Sequence, residues 1–398
     1  MPKGVKINVV AKVLLFARKS AGFSVDEIVT KLKRKTIDQE VIMKWERTGG
    51  AIPLPVLRDI AKYYKRPLTF FFLRNPPQKP IIPADFRTLP NDGHALSQMV
   101  NLSPKAMLMI RRAKRAQELA YQISLSLGKN LKKKLPKISL KDDPAIFAQK
   151  IRQTLGVSIE KQSQWKEPRI ALKAWINLLE KQGIIVQQDS LELEENFRGF
   201  SLAGNHKLLP LIFLSTKDAP NGKIFTLLHE YCHLMLNESG VNIKEDSVSF
   251  NKAISRIEKF CNEFAASFLV PKDLLLSHEI VAKTQKNSFS EDNLHQLAWY
   301  FAVSKEVITL RLKKVGKVDQ AFYKKKKQEW SQIETKPPFG RKAWELRYLD
   351  SNSFVVTALV YESYHKNLMN LSDLLSTLNF KGSYLEKVED SFAKHLQI

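Results

Sequence analysis

Residues 224–236 read Ile-Phe-Thr-Leu-Leu-His-Glu-Tyr-Cys-His-Leu-Met-Leu, an apolar stretch that carries His229, Glu230 and His233. This is the H-E-x-x-H pattern. On a helix, residues four apart lie one turn apart on the same face, so both imidazoles reach one zinc ion while Glu230 stands beside them as a proton carrier. Burying two histidines and a glutamate on so apolar a helix would be costly without a metal to pair them. A catalytic zinc takes a third protein ligand and leaves its fourth position to water. Residues 256–271 offer two candidates, Glu258 and Glu263, on a second amphipathic helix. Five residues separate them by about 140° on the helical wheel, so they cannot both face the metal, and spacing alone does not choose between them. For the oxyanion of a tetrahedral intermediate, His206, His278 and His295 are loose candidates with no spacing to recommend them.

The elements that must position these groups are mostly helices. Predicted helices run over Val9–Arg18, Ser24–Leu32, Asp38–Glu46 and Val56–Tyr64, with Ser24-Val-Asp-Glu27 as a capping box and Asp38 as an N-cap. Their order is that of a helix-turn-helix. Pro76, Pro77, Pro80, Pro83 and Pro90 break regular structure, and a long basic helix follows over Ser103–Leu127. Ala145–Leu155 and Glu167–Gln182 read as further helices, each closed by a glycine, and Ile184–Gln187 and Leu209–Ser215 read as strands. The second strand either offers an edge to which an extended substrate can add or is a plain core strand, and the pattern leaves both open. After Lys324 come a lysine run, a Pro337-Pro338 break and helical patterns near 340–349, 354–367 and 371–378, with no motif. The expected fold is α+β, mainly helical with a small sheet: a helix-turn-helix bundle (1–75), a Pro-rich connector and basic helix (76–135), a zincin-like peptidase domain (136–318) and a helical appendage (319–398).

The H-E-x-x-H pattern, followed by Glu258-x-x-x-Asn262-x-Phe-Ala-Ala and a closing Leu-Val-Pro, resembles the ImmA/IrrE family of zinc metallopeptidases. That resemblance implies His229, His233 and Glu258 as ligands of one zinc per chain, Glu230 as the catalytic base, and an ordinary polar role for Glu263. Tyr64-Lys-Arg-Pro-Leu-Thr-Phe-Phe-Phe, Asp85-Phe-Arg-Thr and Trp45-Glu46 are similar to the subgroup that joins a Cro/phage-repressor-type helix-turn-helix to the peptidase. Phe301-Ala-Val-Ser304 to Arg311-Leu, ending at Gly316, resembles the segment closing that domain. In this frame Gln39, Glu40, Met43 and Lys44 are the exposed early positions of the recognition helix. Gln39 would read adenine edges, while Lys44, Arg47 and the loop Lys33, Arg34 and Lys35 hold phosphates of double-stranded DNA. The resemblance further implies a regulatory endopeptidase whose substrate is a helix-turn-helix transcriptional repressor, used in stress or mobile-element regulation. Two departures stand out. Cys232 replaces the family's usual glycine and brings a thiol near the metal, and Arg47-Thr-Gly-Gly-Ala-Ile-Pro53 is longer than the usual turn.

The 398 residues carry a net charge of +24, with 64 Lys and Arg against 40 Asp and Glu. Residues 1–135 hold 18 of those excess charges, so the amino-terminal third is the phosphate-facing part. Two cysteines exclude a disulfide framework and point to a reducing, cytoplasmic setting. No apolar run approaches the roughly 18 residues that span a bilayer, so no membrane partner is expected. Oligomeric state is not legible. The rival class is a non-catalytic DNA-binding regulator or antitoxin-like protein built on a peptidase scaffold, a role that has no need of an intact Glu230. RNA binding lacks the aromatic stacking motifs it would require.

Overall fold

The computed structural model describes residues 5–77, 103–131, 134–190, 198–237, 247–332 and 343–396. They form two units, whose division falls at Arg112, inside a helix over Pro104–Ser126. The motif Asp85-Phe-Arg-Thr, Pro80, Pro83, Pro90 and the Pro337-Pro338 break lie outside the described residues.

The first unit has the order β1 (Lys6–Val9), α1 (Ala11–Ala21), α2 (Val25–Leu32), α3 (Gln39–Thr48), β2 (Gly50–Pro53) and α4 (Leu54–Tyr63). The capping box forms in full: Ser24 accepts from the Glu27 amide while the Glu27 carboxylate accepts from the Ser24 amide. Asp38 caps α3 through the Val41 amide. Val13, Leu14, Ile28, Ile42, Leu57 and Ile60 are buried where the four helices meet. One difference from the sequence reading is the pairing of β1 with β2 as an antiparallel ribbon, Ile7 opposite Ile52. The segment 47–53 is therefore not a long turn but the end of α3 followed by a strand. Gly49 makes the corner at φ +72°, where an added Cβ would meet the Val9 carbonyl oxygen at 2.8 Å.

The Pro104–Ser126 helix is α5. In the second unit follow α6 (Pro144–Thr154), α7 (Ile159–Gln164), α8 (Pro168–Glu180), β3 (Ile185–Asp189), β4 (Gly199–Leu202), β5 (Leu211–Ser215), α9 (Pro220–Asn237) and α10 (Ser247–Leu269). Then come α11 (Lys272–Ser277), α12 (Glu279–Lys283), α13 (Glu291–Tyr300), α14 (Lys305–Lys314), α15 (Gln320–Ser331), α16 (Trp344–Asn352), α17 (Phe354–His365), α18 (Leu371–Leu378) and α19 (Leu385–Leu396). The sheet order is β3-β5-β4, with β3 parallel and β4 antiparallel to β5. Of the two readings of Leu209–Ser215, the docking edge is thereby corrected and the core strand is the one observed. β5 is the middle strand, paired on both sides and buried at every residue, as its unbroken run Leu-Ile-Phe-Leu requires.

The core of this unit gathers Trp175, Leu179, Ile212, Leu214, Leu227, Leu228, Phe264 and Phe268 between α8, α9, α10 and the sheet. The last carbonyls of α10, which have no partner within the helix, are taken up from three separate elements. Arg152 donates to Phe268 O at 2.8 Å, Gln162 to Leu269 O at 3.0 Å and Arg311 to Val270 O at 3.0 Å. These buried bonds fix where α10 stops and hence its register against α9. The carboxy-terminal helices α16 and α17 pack against β3. Their junction is held by Glu180 at the end of α8, which accepts from Ser353 Oγ at 2.7 Å and from the Phe354 amide at 3.2 Å.

Candidate metal centre

α9 is enclosed on nearly every side, with Leu227, Leu228, Tyr231, Cys232, Leu234 and Met235 all buried. His229 and His233 project from it one turn apart, and α10 brings Glu258 to them. The two Nε2 atoms are 3.0 Å apart. Oε2 of Glu258 is 3.3 Å from His229 Nε2, and Oε1 is 3.3 Å from His233 Nε2. Among the described residues, this is the group of His, Cys, Asp and Glu side chains whose ligand atoms, all within 4.8 Å of one another, could hold a metal ion.

The donor chemistry fits a cation. Asn262, one turn beyond Glu258 on α10, presents its carbonyl oxygen to His229 Nδ1 at 3.0 Å. A carbonyl only accepts, so Nδ1 carries the proton and the Nε2 lone pair faces the centre. Two imidazole nitrogens and a carboxylate thus converge, and a divalent ion satisfies all of these contacts together where a shared proton satisfies one at a time. Burial pushes the Glu258 carboxyl upward, but when the two rings are instead protonated their hydrogen bonds and charge outweigh it and hold the group well below the usual carboxylate range. Glu258 is the most open of the three side chains, at 36% exposure against 13% for His229 and 7% for His233, so the centre faces solvent on that side.

Glu230 stands outside the ligand cluster and accepts a hydrogen bond from Ser201 Oγ of β4 at 2.9 Å. Residues 179–313 match the IrrE N-terminal-like domain, Peptidase_M78. All of the groups above lie within this IrrE-like domain, from Ser201 to Asn262. No curated protein matches the chain.

Glu263 turns away from the centre of the IrrE-like domain, taking hydrogen bonds from Arg311 at 3.0 Å and Ser267 at 3.2 Å. Cys232 is absent from the ligand cluster. It packs in the core beside Cys261, whose thiol is pushed well above its ordinary value by burial and by a hydrogen bond with Cys232. Of the loose histidines, His206 and His295 are exposed, and His278 caps α12 through the Ile280 amide. Sequence reasoning missed Ser201 and the hydrogen-bonding role of Asn262. The Glu-x-x-x-Asn spacing carried a signal for the second, and nothing in the sequence marked the first.

In the first unit Gln39, Glu40, Met43, Lys44 and Arg47 are all exposed on α3, and Lys33 and Lys35 are exposed in the preceding turn. Gln39 donates its amide to Asp26, and Arg34 is held by Asp59 at 2.6 Å. The buried side of α3 is anchored by a two-pronged bond from Arg18 to Glu46, at 2.7 and 2.8 Å.

Proposed function

We propose that the second unit is a zinc-dependent endopeptidase and that the first binds double-stranded DNA, the substrate being a helix-turn-helix transcriptional repressor. The observation that carries the peptidase reading is the convergence of His229, His233 and Glu258 with Glu230 beside them but outside the cluster. When bound, zinc lowers the pKa of a water to about 7 and polarises the scissile carbonyl. His229 and His233 supply neutral Nε2 donors, and Asn262 keeps the His229 ring in the tautomer this requires. Glu230 takes the proton of the attacking water and returns it to the leaving amine. The solvent-facing side at Glu258 gives a peptide chain access. Support for the DNA reading comes from the exposed row Gln39, Glu40, Met43, Lys44 and Arg47 on α3, flanked by Lys33 and Lys35, in the part of the chain with most of the net positive charge.

The test measures zinc per chain and cleavage of candidate repressors. The parent should hold about one zinc, His229→Ala should lose it, and Glu230→Gln should keep the metal without turnover. A Glu230→Gln protein that still cuts at the parent rate overturns the assignment of the base.

A further inference from the structure

Ser201 lies on the face of β4 that meets α9. It is 2% exposed and sits opposite Ile212 in the sheet register, where the neighbouring side chains are apolar. A hydroxyl there costs about 1–3 kcal/mol to desolvate unless it is hydrogen-bonded. One bond of this hydroxyl goes to Glu230 Oε2 at 2.9 Å. Local geometry makes this contact specific. Gly199 and Ser201 share one face of β4, spaced by about 6.7 Å, and Thr226 and Glu230 share one face of α9, spaced by about 6 Å. The two rows therefore match, with Thr226 over Gly199 and Glu230 over Ser201. A Cβ on Gly199 would lie 2.7 Å from the Thr226 methyl and 2.6 Å from the Phe213 carbonyl oxygen. The glycine thus lets the helix come down onto the strand at the depth where hydroxyl and carboxylate meet.

We propose that Ser201 is the positioning residue of the base: its hydroxyl holds Oε2 of Glu230 and so fixes the orientation from which the carboxylate exchanges the proton with the attacking water. This rests on the peptidase reading above. A carboxylate turns readily about its last side-chain bond, and a base that must receive a proton and then release it to a different atom gains from having one oxygen held. Ser201 itself lies outside the cluster of His229, His233 and Glu258.

The test uses the full chain loaded with zinc and acetohydroxamic acid as the probe, because a hydroxamic acid passes its proton to the base as it binds. Ser201→Ala should keep about one zinc per chain and bind the probe about ten-fold more weakly than the parent, whereas Ser201→Thr should bind within about two-fold of the parent. In a Glu230→Gln background, Ser201→Ala should add less than about a two-fold change, since the serine acts through the base. The proposal is overturned by a Ser201→Ala protein that binds as the parent does, by a threonine variant as weak as the alanine one, or by a full additional loss in the Glu230→Gln background. A parent chain that takes up neither zinc nor probe instead sinks the peptidase reading itself, and the two failures are told apart by the zinc content.

Discussion

Glu258 and Glu263 sit on the same helix five residues apart and have opposite duties. Replacing Glu258 by Gln should bring bound zinc down from about one per chain to a small fraction, measured by metal analysis after dialysis. Replacing Glu263 by Gln should leave the metal in place and lower stability by about 1–3 kcal/mol, read by denaturant unfolding, because the buried Arg311 then keeps only part of its partners. Asn262→Ala should weaken zinc about 10- to 100-fold in chelator competition, since the His229 ring loses the acceptor that fixes its tautomer. The histidine pair and the glutamate between them were legible because a single helix fixes their spacing. The choice of Glu258 was not, because it depends on how α10 is rotated against α9, a matter of tertiary packing that only a family resemblance anticipated. Ser201 was less legible still: a serine in a short apolar strand acquires meaning only from the helix that crosses it.

At the scale of elements, the helices were readable from their caps, and the capping box at Ser24 closes as its residue types require. The strands were harder to read. β1 and β2 are short, and each is recognisable only through a partner more than 40 residues away, while β4 contains a glycine and a serine that break any strand pattern. The junction at Glu180 carries a pH dependence. Burial outweighs the hydrogen bonds from Ser353 and Phe354 and pushes this carboxyl up to about 7. The folded chain then keeps a proton that the unfolded chain releases near its ordinary value of 4.5. This stabilisation is complete below that value and is lost as pH rises through about 7. Between pH 5 and 8 the parent should lose about 2–3 kcal/mol from this group, and Glu180→Gln should flatten that decline in unfolding curves taken across the range. In the first unit, Glu46→Ala should cost about 3–5 kcal/mol in unfolding measurements, because it strands Arg18 in a mostly buried site between α1 and α3.

For the molecule as a whole, the helical patterns and caps foretold a mainly helical chain, the excess of positive charge is concentrated in residues 1–135, and no helix among the described residues is long and apolar enough to cross a membrane. If the first unit holds duplex DNA by phosphate contacts, affinity should fall steeply with salt. Lys44→Ala and Arg47→Ala should then each reduce the slope of log K against log salt by about 1, measured by fluorescence anisotropy. The three-way clamp on the last carbonyls of α10 reaches from Arg152 to Arg311. Contacts of such long sequence separation form late and slowly. A nascent chain therefore cannot close this clamp until Arg311, some fifty residues beyond Glu258, has been added, so the seating of α10, and with it the place of Glu258 beside the two histidines, is settled only late in synthesis.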